Sequence, residues 1–501
     1  MDTAIDAVTA RPSTQVGHFD VLVVGAGISG IGSAYHLAQH CPGKTFVVLE
    51  SKDTFGGTWV THKFPGIRSD SDLYTFGYSF KSWTGAPIAT AAEILKYMKE
   101  VVEENDLARH IRYGHRIDRA SWSSSDNRWT VEATRTDTGE PCRFTTNFLW
   151  MCQGYYRHAK GYTPKWEGMD EFKGPIVHPQ TWPEDLDYTG KRVVVIGSGA
   201  TAATVLPAMA PKCAHITMLQ RSPTYFRIGR NAIEIADELR RLQVDESWIH
   251  EIVRRKILYE QDAFTKRCVA DPEGVKKDLL GAIRSHVGPD YDVDTHFTPN
   301  YRPWRQRIAF VPDGDLFNGI AEGKASVVTD EIERFEAKGV RLKSGNLLEA
   351  DIILTATGFD LCVFGDIAIT IDGKPLVLGD TVTYRGMMFT GVPNLVWVFG
   401  YFRASWTLRV DIVADFVCRL LAHMESKGAK RVDARLRPQD KDMPLLPWID
   451  PEDFNPGYMM RGLHLLPRRG DKPEWAHTQD YWAEKDEFPK IDLDDAAFVY
   501  A

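Results

Sequence analysis

An apolar strand that runs directly into Gly-Xaa-Gly-Xaa-Xaa-Gly and then into a helix of small residues leaves a chain few ways to fold, and here it occurs twice. The first copy is Phe19-Asp20-Val21-Leu22-Val23-Val24 followed by Gly25-Ala26-Gly27-Ile28-Ser29-Gly30, with a helical stretch through Gln39. A second apolar strand, Thr45 to Leu49, closes the unit and ends on Glu50. The three glycines have separate tasks. Gly25 permits the tight turn, Gly27 lets phosphates approach the backbone, and Gly30 allows helix and strand to pack closely. The helix start, Ser29 included, offers free N–H groups to a phosphate, and Glu50 is placed to accept hydrogen bonds from a ribose. A glycine-rich turn alone is found in many α/β domains. The strand before it, the helix after it and the acid at its proper distance predict a dinucleotide site.

In the second copy Lys191-Arg192-Val193-Val194-Val195-Ile196 leads into Gly197-Ser198-Gly199-Ala200-Thr201-Ala202. Alanine stands at the third glycine position, as the pattern allows. The next strand, His215 to Leu219, ends in Gln220-Arg221-Ser222 where the first unit has its acid. Arginine suits a 2′-phosphate through charge-assisted hydrogen bonds, whereas glutamate would repel it. The first site is therefore expected to hold FAD and the second, with Gly197, Gly199, Ala200, Thr201, Arg221 and Ser222, NADPH. The competing reading of Arg221 is an unrelated surface arginine. Two nucleotide sites in one chain imply electron transfer between cofactors, with the hard chemistry belonging to flavin and nicotinamide.

A length of 501 residues suggests about three units of domain size. The net charge of −8 argues against a nucleic-acid partner, and 43% hydrophobic with 26% charged residues excludes a disordered chain. Seven scattered cysteines without a CxxC pair argue against a disulfide framework, a zinc ribbon and a thioredoxin-type redox pair. The first twenty residues lack the apolar stretch of a signal peptide. The uncharged stretches Val21 to Gly43 and Val193 to Pro211 read as buried strand–turn–helix units, since each is broken by Gly-Xaa-Gly. The expectation is a soluble cytoplasmic protein without a transmembrane segment; its oligomeric state is not readable.

Two further stretches carry the chemistry. Gly56-Gly57-Thr58-Trp59 is followed by Phe64-Pro65-Gly66-Ile67-Arg68-Ser69-Asp70, and between the fingerprints lies Phe172-Lys173-Gly174-Pro175-Ile176-Val177-His178-Pro179-Gln180-Thr181-Trp182-Pro183. The second fits FxGxxxHxxxWP and the first fits GGxW…[FY]PGxxxD. With these motifs the chain resembles the type I Baeyer–Villiger monooxygenases of the flavin-containing monooxygenase superfamily. Stretches such as PGIRSDSDLYT (65–75), LQRSPTY (219–225) and ASWTL (404–408) look like its bacterial ethionamide-activating subgroup.

The resemblance implies that NADPH reduces FAD, O2 adds at the flavin C4a, and the resulting C4a-peroxyflavin converts ketones to esters or lactones, with sulfoxidation as a companion activity. Alignment by the apolar segment that follows, and by Asp315-Leu316-Phe317, selects Arg307 as the catalytic arginine, with Asp70 pairing with it and orienting it. Gln306 replaces the lysine often found beside it, leaving Arg221 to carry more of the 2′-phosphate recognition. Gly57, Thr58, Trp59, Asp70, Thr357, Gly358 and Trp406 are the remaining cofactor-binding residues that the resemblance implies. His178, between Val177 and Pro179 in a connector, reads as structural and not as a general base.

The implied fold class is α/β with two Rossmann-like dinucleotide-binding domains, the NADPH domain inserted in the FAD domain. The FAD domain comprises residues 1–155 and 356–501, the NADPH domain residues 156–355, with a helical insertion about 227–287 that walls the substrate pocket or simply packs as solvated helices. The tail from Lys430 reads as a surface wrap without chemistry. Rival functions are a flavin monooxygenase acting mainly on sulfur or nitrogen centres, a pyridine-nucleotide:disulfide reductase, which the missing CxxC opposes, and a non-catalytic binding protein.

Overall fold

The computed structural model describes residues 14–501. Its chain builds a first sheet from β1 (Thr14–Val24), β2 (Phe46–Leu49) and β3 (Ile111–Arg112), ordered β3-β2-β1 and parallel throughout. After β4 (His115–Ser123) and β5 (Arg128–Arg135), β6 (Pro141–Met151) joins on the far side of β1, with Val23 opposite Trp150. The first half of β6 pairs antiparallel with β5, and its second half is flanked by Leu395–Trp397 in parallel register. Val21 to Val24 and Phe46 to Leu49 are buried. Strands covered on both faces by helices and loops need such unbroken apolar runs.

A second, wholly parallel sheet contains β7 (Ile176–Val177), β8 (Arg192–Ile196) and β9 (His215–Gln220). The strand Ile352–Thr355 lies between β7 and β8, and Ala325–Thr329 flanks β9. The strands of this sheet thus all lie between β6 and the return of the chain to the first sheet at Ala368–Ile371 and Leu395–Trp397. Residues 226–229 form β10 (Phe226–Gly229), paired in parallel with β11 (Ala309–Pro312). Their alternation buries Phe226 and turns Arg227 to the other side.

Three helices follow β10: Glu234–Arg241, Glu246–Ala270 and Pro272–Val287. The last packs on the second sheet through Leu280 and Ile283. The middle one puts Ile249 and Val253 into the core of the first unit. There Arg254 donates from Nη1 to the carbonyls of Tyr74 at 2.7 Å and Gly77 at 3.1 Å, and His250 Nδ1 accepts from the Trp83 N–H at 3.0 Å. This helix therefore ties the two units together.

The tail departs from the surface wrap its aperiodic sequence suggests. Val432–Ala434 pairs with Phe498–Tyr500, and Trp475, Phe488 and Phe498 enter the first core. Its apolar residues are spaced for loops and short turns, so they carry no helical or strand period. All seven cysteines are free, and all but Cys213 are buried. Among the described residues no helix is long and apolar enough to cross a membrane.

Candidate active site

Both fingerprints fold as tight strand–turn–helix units, and the glycine positions show why. Gly25 has φ +93°, and a Cβ at Gly30 would stand 1.8 Å from the Gly25 carbonyl oxygen. In the second copy Gly197 has φ +121°, and a Cβ there would stand 2.3 Å from the Ala356 oxygen. The helices Ile28–His40 and Ala200–Met209 begin at Gly27 and Gly199, and neither has a side-chain cap. Their first N–H groups remain free for a ligand.

The first turn opens on a cavity of about 610 Å3 lined by Gly25, Gly27, Ser29, Glu50, Gly57, Thr58, Trp59, Asp70, Arg307 and Trp406. Gly57 sits at φ +54°, and a Cβ on it would meet the Gly27 Cα at 3.0 Å. Two backbones thus close on one another at the cavity floor without side chains. Glu50 is buried at the strand end, where it accepts from the Ala26 N–H at 2.8 Å and the Lys52 N–H at 2.9 Å. Those donors fix the carboxylate at the cavity edge. The Trp406 indole donates to Ser29 Oγ at 2.8 Å, so the start of helix Trp406–Ser426 is pinned to the start of the fingerprint helix. Thr58 shares a 2.7 Å hydrogen bond with the Tyr156 hydroxyl. These features fit an extended dinucleotide: a side-chain-free floor, an uncapped helix start and an acid held at the far end.

At the second fingerprint a Cβ on Gly199 would meet nothing within 4 Å, so the turn faces open space. Gln220 is buried and spends its amide on the His296 carbonyl and the Thr329 hydroxyl. Arg221 and Ser222 beyond it are exposed, and among the described residues Arg221 makes no ion pair. Thr357 and Gly358 stand apart from the large cavity. Thr357 donates to the Tyr162 carbonyl at 2.6 Å, and the Gly358 carbonyl accepts from Tyr162 N at 3.0 Å. His178 closes the same crossing: its Nδ1 accepts from Gln180 N at 3.1 Å, and Nε2 lies 3.1 Å from the Gly358 oxygen. Burial pushes its pKa down, so the neutral ring holds its proton on Nε2 and both nitrogens are engaged.

Arg307 Nη1 donates to Asp70 Oδ2 at 2.9 Å. Asp70 comes from the first unit and Arg307 from the second, and a reciprocal pair lies beside them: Arg68 Nη1 donates to Asp315 Oδ2 at 2.5 Å. Gly66, at φ +76°, lets the same loop rest on helix Ala200–Met209, where a Cβ would meet the Ala208 methyl at 2.6 Å. The Pro65-to-Asp70 stretch is therefore an inter-unit clamp as well as a source of one carboxylate. Of the three neighbouring arginines, Arg302 pairs with Asp453 and Arg305 with Glu452, leaving Arg307 for Asp70. Burial opposes the Arg307 charge, but Asp70, with Tyr458 and Tyr155, outweighs it and holds the guanidinium protonated above its ordinary range.

Asp70, Arg307 and Ala404 also line a second cavity of about 300 Å3, walled by Ile88, Ile257, Phe264, Trp304, Ile308 and Phe402. Ile257 and Phe264 come from the helix Glu246–Ala270. Sequence reasoning missed several members of the site. Tyr155 stacks on Trp406 at 5.3 Å, and the buried Tyr458 hydroxyl and Arg307 Nε lack partners. Tyr155 and Tyr156 follow a strand the sequence marks plainly, which was a usable signal. Tyr458 and Asp453 lie in the aperiodic tail, where nothing local distinguishes them. Trp304 has φ +63°, a costly conformation for a bulky residue, and its carbonyl is held by Arg403 Nη2 at 3.1 Å.

Two α/β units, each opening its first helix on a glycine turn and meeting at an ion pair between two cavities, define a two-dinucleotide oxidoreductase. Comparison with known proteins places the chain within that class. The profile of the flavin-binding monooxygenase-like family matches residues 87–232, and that of the NAD(P)-binding Rossmann-like domain matches residues 23–95. FAD-containing monooxygenase EthA of Mycobacterium tuberculosis (strain ATCC 25618 / H37Rv) is 45% identical over 97% of this chain and 98% of its own. Probable FAD-binding monooxygenase AlmA of an Acinetobacter species is 41% identical over 96% of each chain. This chain belongs to the family of FAD-containing monooxygenases. Among solved structures, an oxidized steroid monooxygenase bound to NADP superposes with a TM-score of 0.75 at 22% identity, covering 96% of this chain and 99% of the other. Cyclohexanone monooxygenase from Rhodococcus sp. Phi1 bound to NADP+ gives 0.66 at 25% identity, covering 86% and 88%.

Proposed function

We propose that this protein is an FAD- and NADPH-dependent Baeyer–Villiger monooxygenase that converts ketones to esters or lactones and also oxygenates sulfides. In this reading residues 1–155 and 356–501 hold FAD, and residues 156–355 hold NADPH. The observation that carries it is the Arg307–Asp70 pair at the junction of a dinucleotide-shaped cavity and a mostly apolar one. When bound, the flavin supplies oxygen activation with electrons drawn from the nicotinamide.

The chain's own residues do the rest. Gly25, Gly27 and Gly30 bring the backbone to the FAD pyrophosphate, Glu50 takes the ribose, and Arg221 with Ser222 takes the NADPH 2′-phosphate. Arg307 holds a fixed cation where negative charge develops on the substrate oxygen, and Asp70 keeps that cation oriented; preorganised charge of this kind needs no rearrangement as the reaction proceeds. The free N–H groups at the start of helix Trp406–Ser426 favour negative charge on the reduced flavin. Ile88, Ile257, Phe264, Ile308 and Phe402 give the smaller cavity an apolar portion that would limit water at the reacting centre.

Mass analysis of products from purified enzyme, NADPH, air, a ketone panel and a prochiral sulfide tests the proposal. Products one oxygen heavier than their ketones, with ester or lactone structure, are expected. Sulfoxide without any ester would overturn the Baeyer–Villiger assignment and move the enzyme to the heteroatom-oxygenating branch.

A further inference from the structure

The smaller cavity carries one cation that its walls do not answer. Arg227 stands on β10, on the side of the strand away from buried Phe226, and lines this cavity. Its guanidinium lies 4.5 Å from the centre of the Phe264 ring. Among the described residues it has no carboxylate within ion-pair distance and no hydrogen-bond acceptor. The other three arginines of the cavity are engaged: Arg307 with Asp70, Arg403 with Asp453 and Arg230 with Glu234. The wall acids are engaged too. Glu260 is paired with Lys256, while Asp72 accepts from Thr75 N, the Thr75 hydroxyl and the Gln261 amide. Burial lowers the Arg227 pKa, with Glu260 acting against that lowering, and an arginine keeps its charge in any protein environment. The result is a solvent-accessible cation, unpaired among the described residues, in a cavity whose wall includes Ile257, Phe264, Ile308 and Phe310.

Its position relative to the reacting corner follows from register. Arg227 pairs with Phe310, three residues beyond Arg307, a separation of roughly 10 Å along the strand direction. Ile308, Phe310 and Phe264 line the same cavity and suit a hydrocarbon spacer. The geometry points to a substrate with two ends: a ketone that reacts beside Arg307, and a carboxylate, separated from it by an aliphatic chain, that pairs with Arg227. Arginine matches a carboxylate with two parallel N–H···O bonds, and the Phe264 ring beneath the guanidinium leaves its N–H edges available for them. The inference rests on the Baeyer–Villiger reading and names its substrate class as aliphatic keto acids.

The test compares methyl-ketone carboxylic acids of increasing chain length with their methyl esters, using the FAD-loaded enzyme and its Arg227→Met and Arg227→Lys variants. The wild type is expected to favour the free acid by about tenfold or more in kcat/KM at the optimal chain length. Arg227→Met should bring the acid-to-ester ratio close to one through KM for the acid, and Arg227→Lys should retain part of the preference. Equal use of acid and ester by the wild type, or an undiminished preference in Arg227→Met, overturns the inference. So does a raised KM for NADPH in Arg227→Met with acid and ester alike, since Arg227 would then serve a nucleotide phosphate. Titration of the oxidised holoenzyme with each acid and ester, followed by the flavin absorbance, separates the two levels of the claim. If no ketone yields an ester, the Baeyer–Villiger reading fails. Arg227-dependent binding of the acid over its ester would still support the anion site, and its absence would sink it.

Discussion

At the scale of single residues, the site depends on which side chains meet across the boundary between the two sheets. Arg307 and Asp70 are 2.9 Å apart and line both cavities, so removing the cation leaves the nucleotide turns untouched. Arg307→Ala is expected to lower ester formation by about 10²–10³-fold, the usual cost of losing one preorganised charge donor, while NADPH oxidation persists. Product yield per NADPH consumed is the measurement, and ester formation at the parental rate would refute the catalytic role. Arg221 is exposed beyond a buried Gln220 whose amide N–H groups are spent on the His296 carbonyl and the Thr329 hydroxyl. Arg221→Ala should raise KM for NADPH about tenfold or more with little change for NADH, narrowing the preference that steady-state kinetics reads.

Residue-scale legibility is uneven, and the reason is locality. The requirement for glycine at 25, 30 and 197 is set by backbone within the same strand–turn–helix or in the adjoining strand, so spacing alone exposes it. Thr357 and Gly358 were expected at a cofactor, whereas their hydrogen bonds go to Tyr162 and His178 at the crossing between sheets. A strand end of the right composition serves either purpose, and only the direction in which the chain turns next separates them.

At the scale of elements, the helix Glu246–Ala270 walls the smaller cavity, and the tail holds two lining residues from behind, Arg403 through Asp453 and Tyr401 through Glu484. That helix meets the first unit through Arg254, whose charged N–H groups satisfy carbonyls around the short turn Leu73–Phe76. Arg254→Met would leave the Tyr74 carbonyl buried without this donor and Gly77 with only the 3.5 Å contact to Thr407, at a cost of about 1–3 kcal/mol. Limited proteolysis should then cut first between residues 242 and 271, ahead of global unfolding. The helical character of this segment is plain from its spacing of apolar residues, but its binding partner is not, because charged residues on its buried face mask the stripe that docks. The tail is held by Arg409 and Glu484, a fully buried pair that also takes hydrogen bonds from Tyr401 and Thr478. Glu484→Gln leaves the Arg409 charge uncompensated, and breaking such a pair costs about 3–5 kcal/mol. The expected result is a lower Tm and weaker flavin retention, because Tyr401 lines the large cavity. An unchanged Tm with full flavin content would remove the tail from the account of that cavity.

For the whole molecule, pH dependence follows from histidines buried in the neutral form. Burial brings His477 down to about 3 and His62 down to about 4, with the charges of His158 and His178 adding to the effect at His62. Both values are depressed relative to the unfolded chain, where histidine titrates near 6.5. The stability these rings contribute is therefore complete above about pH 6.5 and is lost as the pH falls toward the folded values, because the unfolded chain binds protons that the folded one refuses. Glu484, whose pKa Arg409 holds down against burial, adds a loss of the same sign at lower pH. Chemical denaturation at stepped pH should show stability falling from about pH 6.5 downward by a few kcal/mol before carboxylates contribute. A flat profile between pH 6.5 and 5 would show that these rings are protonated in the folded state.

The sequence by itself determined the two strand–turn–helix units, their order and their glycine turns, since each needs only glycine and apolar residues at short, regular spacing. It also marked the Pro65-to-Asp70 and Phe172-to-Pro183 stretches as belonging to one family of chemistry. Only the tertiary structure decided that Arg302, Arg305 and Arg307 go to three different acids, two of them in the tail, and that the helix Glu246–Ala270 walls the smaller cavity. A backbone turn is specified by its own few residues. The partner of a long charged side chain is specified by whichever surface, hundreds of residues away, packing brings within reach.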